Sequence, residues 1–316
     1  MSSAVITIHP NLKLLSHSST VLLHTCPRRY ELYKLANKAH SQEGDEHLSF
    51  GTTVGVGVQE LLVSSSINRA YMAAMKSWHK LLDDEDGQKD KKTFWYALYA
   101  LDKFQAIQRS VFSNYQLAML NGKPAIELGF SVDCGNGYFY RGYLDAVFID
   151  TLRNELVVLE NKTTKFSNVH EAVYKHSGQS LGYSLIMDII AQQLKMEIGS
   201  SYKVLYAVYK STKMEWEIFP FMKSHTMRAL WIKQLLIDIN HIEEFGSDQY
   251  FPMHGESCYS FFRPCEYFGT CEVSNKYIVG ENPEVKVEDE SKYDYHFSLT
   301  DIIESQLNKQ EQGIQV

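Results

Sequence analysis

The spacing of hydrophobic residues changes several times along the chain. Residues 17–36, 49–82 and 93–120 carry apolar side chains at the three- to four-residue spacing that predicts helices. Residues 125–164 are instead rich in β-branched and aromatic residues, and the turn sequences CGNG and DTLRN divide them into three strands. A helical pattern (169–195), two strands (201–220) and a last helix (224–245) follow. This order predicts an α/β fold in which helices flank a mixed central β-sheet.

Composition and charge change this picture little. The 316 residues are 44% hydrophobic with a net charge of -7, and residues 280–316 hold nine acidic and only three basic residues. The rest of the chain is therefore near neutral, which leaves room for a local basic groove, and the acidic tail is expected to be flexible. No apolar run is long enough for a membrane span and no signal-peptide pattern begins the chain, so a cytoplasmic location is expected.

Three charged residues occupy two neighbouring predicted strands. Asp145 lies near the end of the first strand, and Glu160 and Lys162, two residues apart on the next, share one face. Two converging carboxylates would suit Mg²⁺ or Mn²⁺, with the backbone carbonyl of Asn161 as a further ligand and Lys162 orienting a water. A surface cluster of ion pairs is the alternative, and for these three residues alone it is the more common arrangement.

A second pair of residues follows on the next predicted helix. Gln179 and Tyr183 are four residues apart and therefore share a helix face. The amide of Gln179 could bind a phosphate or a base, and the ring of Tyr183 could stack. A tyrosine at this spacing is more often part of a core, so the pair is weak evidence by itself.

Taken together, GYLD (142–145), ENK (160–162) and QSLGY (179–183) resemble the motifs of the PD-(D/E)XK nuclease superfamily, specifically its RecB-like exonuclease branch. The resemblance implies a restriction-endonuclease-like core and metal-dependent cleavage of DNA. It assigns metal binding to Asp145 and Glu160, catalysis to Lys162, and DNA contact to Gln179 and Tyr183. It also implies one nuclease domain over residues 1–279, with its core at about 120–220 and a helical insert at about 52–120.

The early helix departs from the branch pattern. RecB-like nucleases usually carry a metal-binding histidine four residues after a glycine, but Gly55 stands four residues after Gly51. Gln59, one turn later, could reach the metal through its amide oxygen, which is a weaker ligand than imidazole. Gln59 as plain helix surface is an equally good interpretation.

The cysteines form a separate pattern. Cys258, Cys265 and Cys271 are close in sequence, and Cys26, placed by Pro27 at a helix N-terminus, is the fourth candidate ligand. Four thiolates suit Zn²⁺ or an iron–sulfur cluster, and the spacing is looser than in zinc knuckles. The resemblance to AddB-type and CRISPR-associated exonucleases implies [4Fe–4S], which would join Cys26 to residues 251–271. Four unrelated thiols are the alternative, and Cys134 is expected to stay free.

These patterns lead to one main hypothesis of function. The chain is expected to be a metal-dependent DNA exonuclease with a structural [4Fe–4S] cluster, acting in recombination, repair or replication beside a protein partner. The stand-alone size fits a protein of a bacterial virus, whose location would be the host cytoplasm. The alternative is a non-catalytic or weakly active DNA-binding or assembly subunit that keeps the fold and the cluster, and a redox protein is the weakest interpretation.

Overall fold

The computed structural model of the protein describes residues 8–36, 46–78, 88–197, 199, 201–260, 263–272, 284–286 and 289–304. Its α-helices are α1 His17–Thr25, α2 Pro27–Leu35, α3 Glu46–Ser64, α4 Ile67–Ser77, α5 Phe94–Ser110, α6 Glu171–Lys175, α7 Gly178–Gln193 and α8 His225–Ser247. Its strands are β1 Leu14–Ser16, β2 Tyr115–Leu117, β3 Met119–Leu120, β4 Lys123–Pro124, β5 Ile126–Gly135, β6 Tyr138–Asp150, β7 Glu155–Thr164, β8 Ser201–Lys210, β9 Glu215–Ser224, β10 Tyr259–Ser260, β11 Arg263–Pro264 and β12 Tyr295–Ser298.

The chain forms two compact units. We call the first the terminal unit, because it combines Met1–Gln42, Gly129–Gly142 and Ala229–Ile314. The second, the central unit, contains Glu43–Leu128 and Tyr143–Arg228. A single domain over residues 1–279 stays a prediction. Within the described ranges, no helix is both long and apolar enough to cross a membrane.

A mixed sheet organises the central unit, as predicted. Strand β6 pairs antiparallel with β2 and β7, β7 pairs parallel with β8, and β8 pairs antiparallel with β9. Helices α6 and α7 connect the parallel strands β7 and β8, which need a long crossover. Residues of α3 and α5, including Val54 and Leu101, pack in one buried cluster with Leu159 on β7. The strand alternation therefore leaves Glu160 and Lys162 on the opposite face of β7.

Two regions predicted as long helices are divided in the structure. The helix expected over residues 49–82 breaks between α3 and α4, where Ser65 has a φ of 54° and Ser66 caps α4. Adjacent serines favour such a break because their hydroxyls compete for backbone hydrogen bonds. The pattern over residues 169–195 likewise divides into α6 and α7.

The terminal unit contains the predicted CGNG turn and part of the acidic tail. Asn136 and Gly137 both have positive φ, as a tight hairpin turn between β5 and β6 requires. Part of the tail is ordered, because β12 pairs parallel with β5, while the flexibility expected over residues 280–316 stays a prediction. Arg141 helps to explain the ordered part, since its buried guanidinium pairs with Glu290 and lies 4.8 Å from the ring centroid of Tyr293.

Candidate active site

Asp145 and Glu160 meet where the β6–β7 ladder ends. The last registered pair is Ala146 with Leu159, and Asp145 and Glu160 are the next residues on the two strands. The backbone N–H of Asn161 donates a hydrogen bond of 2.6 Å to Oδ2 of Asp145. The convergence of the two carboxylates, predicted from the sequence, follows from this pairing.

Glu160 and Lys162 form an ion pair on one face of β7. Nζ of Lys162 lies 2.6 Å from Oε1 of Glu160, and the Glu160 side chain is only 2% exposed. The Lys162 side chain is 36% exposed, so its ammonium group is reachable from solvent while it contacts a buried carboxylate. The other carboxylate oxygen, Oε2 of Glu160, is buried and has no hydrogen-bond partner among the described residues.

Burial and mutual repulsion shift the pKa values of these groups. Burial raises the pKa of Asp145 well above its usual range, and the charge of Glu160 raises it further. Burial also raises the pKa of Glu160, although Lys162 opposes that shift. For Lys162, burial alone would lower the pKa, but the carboxylate of Glu160 outweighs burial and raises it. Lys162 therefore carries a proton, and the two carboxylates repel each other unless a cation neutralises them.

Gln179 and Tyr183 lie on α7 and contact each other, as their spacing predicts. The side-chain amide of Gln179 donates a hydrogen bond to the hydroxyl of Tyr183. Tyr183 is buried, and its hydroxyl lowers the pKa of Glu160 by hydrogen bonding. Gln179 and Tyr183 are thereby connected to the carboxylate of Glu160. Their contact with DNA stays a prediction.

Helix α3 carries Gly51, Gly55 and Gln59 at successive four-residue intervals, so the three residues share one face. A Cβ at Gly51 would lie 3.1 Å from Oγ1 of Thr163, the residue after Lys162. A Cβ at Gly55 would meet no atom within 4 Å. The amide of Gln59 donates a hydrogen bond to the carboxylate of Glu127, so its predicted role as a metal ligand is neither shown nor excluded.

Glu127 and two tyrosines were missed by the sequence analysis. The charge of Glu127 raises the pKa of both Asp145 and Glu160, which places this third carboxylate near the other two. Tyr206 is the registered partner of Glu160 on β8, and its ring centroid lies 4.7 Å from that of Tyr174. No sequence motif marks these residues, because each reaches the site through strand pairing or ring packing.

The donor set fits a hard divalent cation. Two carboxylates with an unpartnered buried oxygen on Glu160 are the ligands that Mg²⁺ and Mn²⁺ prefer, completed by water and substrate. Within the part of the chain that the structure describes, no three His, Cys, Asp or Glu side chains are grouped closely enough to hold a metal by themselves. Any cation would therefore need further oxygen ligands, and the Asn161 carbonyl stays the predicted one.

All four predicted cysteine ligands line one cavity in the terminal unit. Cys26 lies at the N-cap of α2, as expected, and Cys258, Cys265 and Cys271 line the same cavity of about 280 Å³. Arg28 bridges the two ends of the chain, because its N–H donates to the carbonyl of Pro252 and its Nε donates to that of Cys271. The start of the chain is therefore joined to the Cys-rich segment by hydrogen bonds, and Arg29 adds an ion pair of 2.8 Å with Glu266.

The cysteines are not drawn together as a metal site requires, since the described residues contain no group of three such ligands. Burial also raises the pKa of Cys265, so the thiol is the favoured form there without a metal. The iron–sulfur cluster predicted from the sequence is not shown by this geometry. Cys134 lies apart from the cavity, and burial raises its pKa to about 12.

Most of the chain matches one known protein superfamily. The sequence profile of the PD-(D/E)XK nuclease superfamily matches residues 14–272, most of the chain. The protein belongs to this superfamily. The superfamily predicted from the sequence is therefore confirmed, while the assignment of Asp145, Glu160 and Lys162 as its acidic and basic active-site residues stays a prediction.

The comparisons with curated proteins and with solved structures add little to the family assignment. No curated protein matches the chain. A solved structure from Eubacterium rectale, described as a "Putative exonuclease", covers 82% of this chain and 93% of its own, at 12% identity and a TM-score of 0.46. At that TM-score it carries no argument about this PD-(D/E)XK protein. DNA as the substrate follows from the superfamily, while the metal, the branch and the polarity do not.

Proposed function

We propose that the protein is a Mg²⁺- or Mn²⁺-dependent DNA exonuclease of the RecB-like branch. The observation that carries the proposal is the cluster of Asp145, Glu160 and Lys162, in which Glu160 is buried and its Oε2 has no partner in the described structure. A superfamily member that had lost catalysis would have no chemical need for all three groups. The same proposal includes a role in recombination, repair or replication in a cytoplasm, together with a protein partner. It also includes an origin in a bacterial virus. These parts of the proposal rest on the sequence resemblance.

The roles of the side chains follow from their contacts. Asp145 and Glu160 would hold the cation, which would polarise the scissile phosphate and lower the pKa of a bound water. Lys162 is protonated and partly exposed, so its ammonium group can orient the attacking water and offset charge that develops on the phosphate. Gln179 and Tyr183, held together beside Glu160, would contact the DNA backbone.

We also propose that the four cysteines hold a structural [4Fe–4S] cluster. A single zinc ion would draw four sulfurs to within about 2.3 Å of one point. Cys26, Cys258, Cys265 and Cys271 instead line a cavity of about 280 Å³, whereas a single water needs only about 10–15 Å³ on the same measure. The size of this cavity supports a cluster over Zn²⁺, which stays the alternative.

A non-catalytic DNA-binding or assembly subunit is the second candidate function. Gly55 favours it, because glycine offers no ligand where the branch usually carries a histidine. A weakened metal site would reduce activity without altering the fold. The two candidates differ in one measurable property, which is cleavage of DNA in the presence of excess metal.

Nuclease assays on end-labelled DNA test the proposal. Purified protein with Mn²⁺ or Mg²⁺ should release nucleotides from linear DNA, and EDTA should stop the reaction. Covalently closed circular DNA should resist cleavage, because an exonuclease needs an end. Binding of DNA without any cleavage, across metals and concentrations, would favour the assembly subunit, and cleavage of circles would indicate an endonuclease.

A further inference from the structure

Glu127 has an unusual backbone conformation for its position. Its φ is 47°, in the left-handed region, and among the described non-glycine residues with positive φ it alone lies inside a strand. The others lie in turns or at the ends of helices. Left-handed backbone is unfavourable for a residue with a side chain, and such strain concentrates at functional sites. The conformation therefore suggests that the direction of the Glu127 side chain matters.

Strand pairing brings Glu127 to the carboxylate site. The N–H of Val147 on β6 donates a hydrogen bond of 2.9 Å to the carbonyl of Ala125, just before β5. Glu127 follows Ala125 by two residues and Asp145 precedes Val147 by two, so both lie close to this bond on the neighbouring strands β5 and β6. Glu127, Asp145 and Glu160 thus lie on the successive strands β5, β6 and β7. The upward shifts that Glu127 causes in the pKa of the other two agree with this placement.

The contacts of Glu127 orient its carboxylate without neutralising it. The amide of Gln59 donates a hydrogen bond to Oε1 of Glu127, but an amide carries no charge. No lysine or arginine forms an ion pair with Glu127 in the described ranges. A third negative charge beside two buried carboxylates is unfavourable unless a cation binds. The unpartnered Oε2 of Glu160 independently points to a ligand at the same place.

We propose that Glu127 is an outer ligand of the divalent cation at Asp145 and Glu160, reached through a bound water, and that Gln59 is a positioning residue that holds Glu127. This inference rests on the proposed function. Direct coordination by all three carboxylates is not the arrangement seen, because the described acidic side chains are not grouped that closely. The exposed Glu127 instead suits a water-mediated contact at the mouth of the site.

Titration of the full-length protein with Mn²⁺, followed by calorimetry without DNA, tests this inference. Loss of an outer-shell partner typically weakens metal affinity 10- to 100-fold, so Glu127→Gln should weaken Mn²⁺ binding by about that factor. Gln59→Leu should weaken it less, and should add nothing in the Glu127→Gln background, because Gln59 acts through Glu127. Glu155→Gln, an exposed change at the far end of β7, should leave Mn²⁺ affinity unchanged.

Two further variants separate the possible failures. If Asp145→Asn abolishes Mn²⁺ binding while Glu127→Gln binds normally, the outer-ligand inference is wrong and the proposed function stands. If Asp145→Asn also binds normally, the proposed metal site itself is wrong. Glu127→Gly relieves the left-handed strain, so its Tm should rise while its Mn²⁺ affinity falls. A lower Tm with unchanged affinity would show that Glu127 is structural.

Discussion

Asp145 accepts a 2.6 Å hydrogen bond from the backbone N–H of Asn161, the residue between Glu160 and Lys162. The peptide that joins the two charged residues of β7 thereby fixes the carboxylate of β6. This contact also stabilises the ionised form of Asp145, yet burial and the charge of Glu160 outweigh it and raise the pKa. Folding therefore brings the two carboxylates together although they repel each other. Such an arrangement is typical of a functional site rather than of one that stabilises the fold.

Replacing Asp145 by Asn tests directly whether the carboxylates of Asp145 and Glu160 repel each other. The amide keeps the shape of the side chain and removes a charge that burial and Glu160 disfavour. We expect the metal-free protein to have a higher Tm, because the repulsion is gone, and to lose detectable DNA cleavage, because a metal ligand is gone. Thermal unfolding in EDTA and a nuclease assay with Mn²⁺ measure the two effects. Wild-type cleavage by this variant would refute the metal-site assignment.

Lys162 is expected to act on the reaction rather than on metal binding. Replacing it by Met keeps the length of the side chain but removes the ammonium group, so cleavage should fall about 100- to 1,000-fold, the usual contribution of one donor that stabilises charge in the transition state. Mn²⁺ affinity should change far less. The matched control is Lys165→Met, which changes a lysine paired with Asp90 on the same segment and should cut DNA normally. Equal losses in both variants would show that Lys162 has no special role.

The carboxylate site was largely predictable from sequence because its geometry follows from local periodicity. Two residues apart on a strand, Glu160 and Lys162 must share a face, and a short turn makes β6 and β7 neighbours. The same argument holds for Gln179 and Tyr183 on one helix face. The motifs in that order then indicated the superfamily, which the sequence profile confirms.

Long-range relationships were not predictable in the same way. Glu127 lies 18 residues before Asp145 and comes near it only because β5 and β6 pair and its own backbone is left-handed. The residues around Glu127 predict neither feature. The pairing of β12 with β5 was missed because the acidic composition of the tail favoured a flexible segment. Buried Arg141, which pairs with Glu290 in that tail, supplies a counter-charge that composition alone does not reveal.

Lys223 gives a prediction about pH. It is fully buried, it donates hydrogen bonds to the carbonyls of Tyr174 and Lys175 at the end of α6, and burial lowers its pKa from 10.5 to about 8. Between pH 8 and 10.5 the unfolded chain holds this proton more often than the folded chain. The contribution of Lys223 to the free energy of unfolding therefore rises with pH across that window.

Lys223→Met should remove this pH dependence. The free energy of unfolding of the wild type minus that of the variant should increase as pH rises through the window, by at most about 1.4 kcal/mol for each unit of pKa shift. Urea unfolding of both proteins at several pH values measures the difference and cancels the titration of other groups. A difference that does not change with pH would mean that Lys223 is solvated in the folded protein.

The cysteine cavity yields a prediction about colour and iron. Protein purified without oxygen should be brown and contain iron and acid-labile sulfide, and Cys265→Ser should lose both and much of its thermal stability. Cys134→Ser, which changes a thiol outside the cavity, should keep both. If the protein contains zinc and no iron, the four cysteines are still the ligands, but they bind zinc instead of a cluster. Neither metal, with an unchanged Tm for Cys265→Ser, would show four unrelated thiols.

Gly55 offers a way to strengthen the active site. It lies midway between Gly51, which faces Thr163 beside Lys162, and Gln59, which contacts Glu127, and a Cβ there meets nothing within 4 Å. A side chain at position 55 therefore lies on the Thr163 side of β7 without a clash, and a long side chain there is expected to reach the cation past the end of the β6–β7 ladder. Gly55→His would place an imidazole there, so the Mn²⁺ concentration for half-maximal cleavage should fall on the order of tenfold, the scale of a well-placed metal-site contact.

Gly55→Ala is the matched control for this substitution, because it fills the same space and gains the same helix propensity without adding a ligand. Both variants should have a Tm at or above that of the wild type, since helical glycine costs about 1 kcal/mol relative to alanine. Only Gly55→His should shift the metal dependence. If both variants shift it equally, the effect comes from stiffening α3. If neither shifts it, position 55 does not face the cation, and the branch histidine has no structural counterpart in this chain.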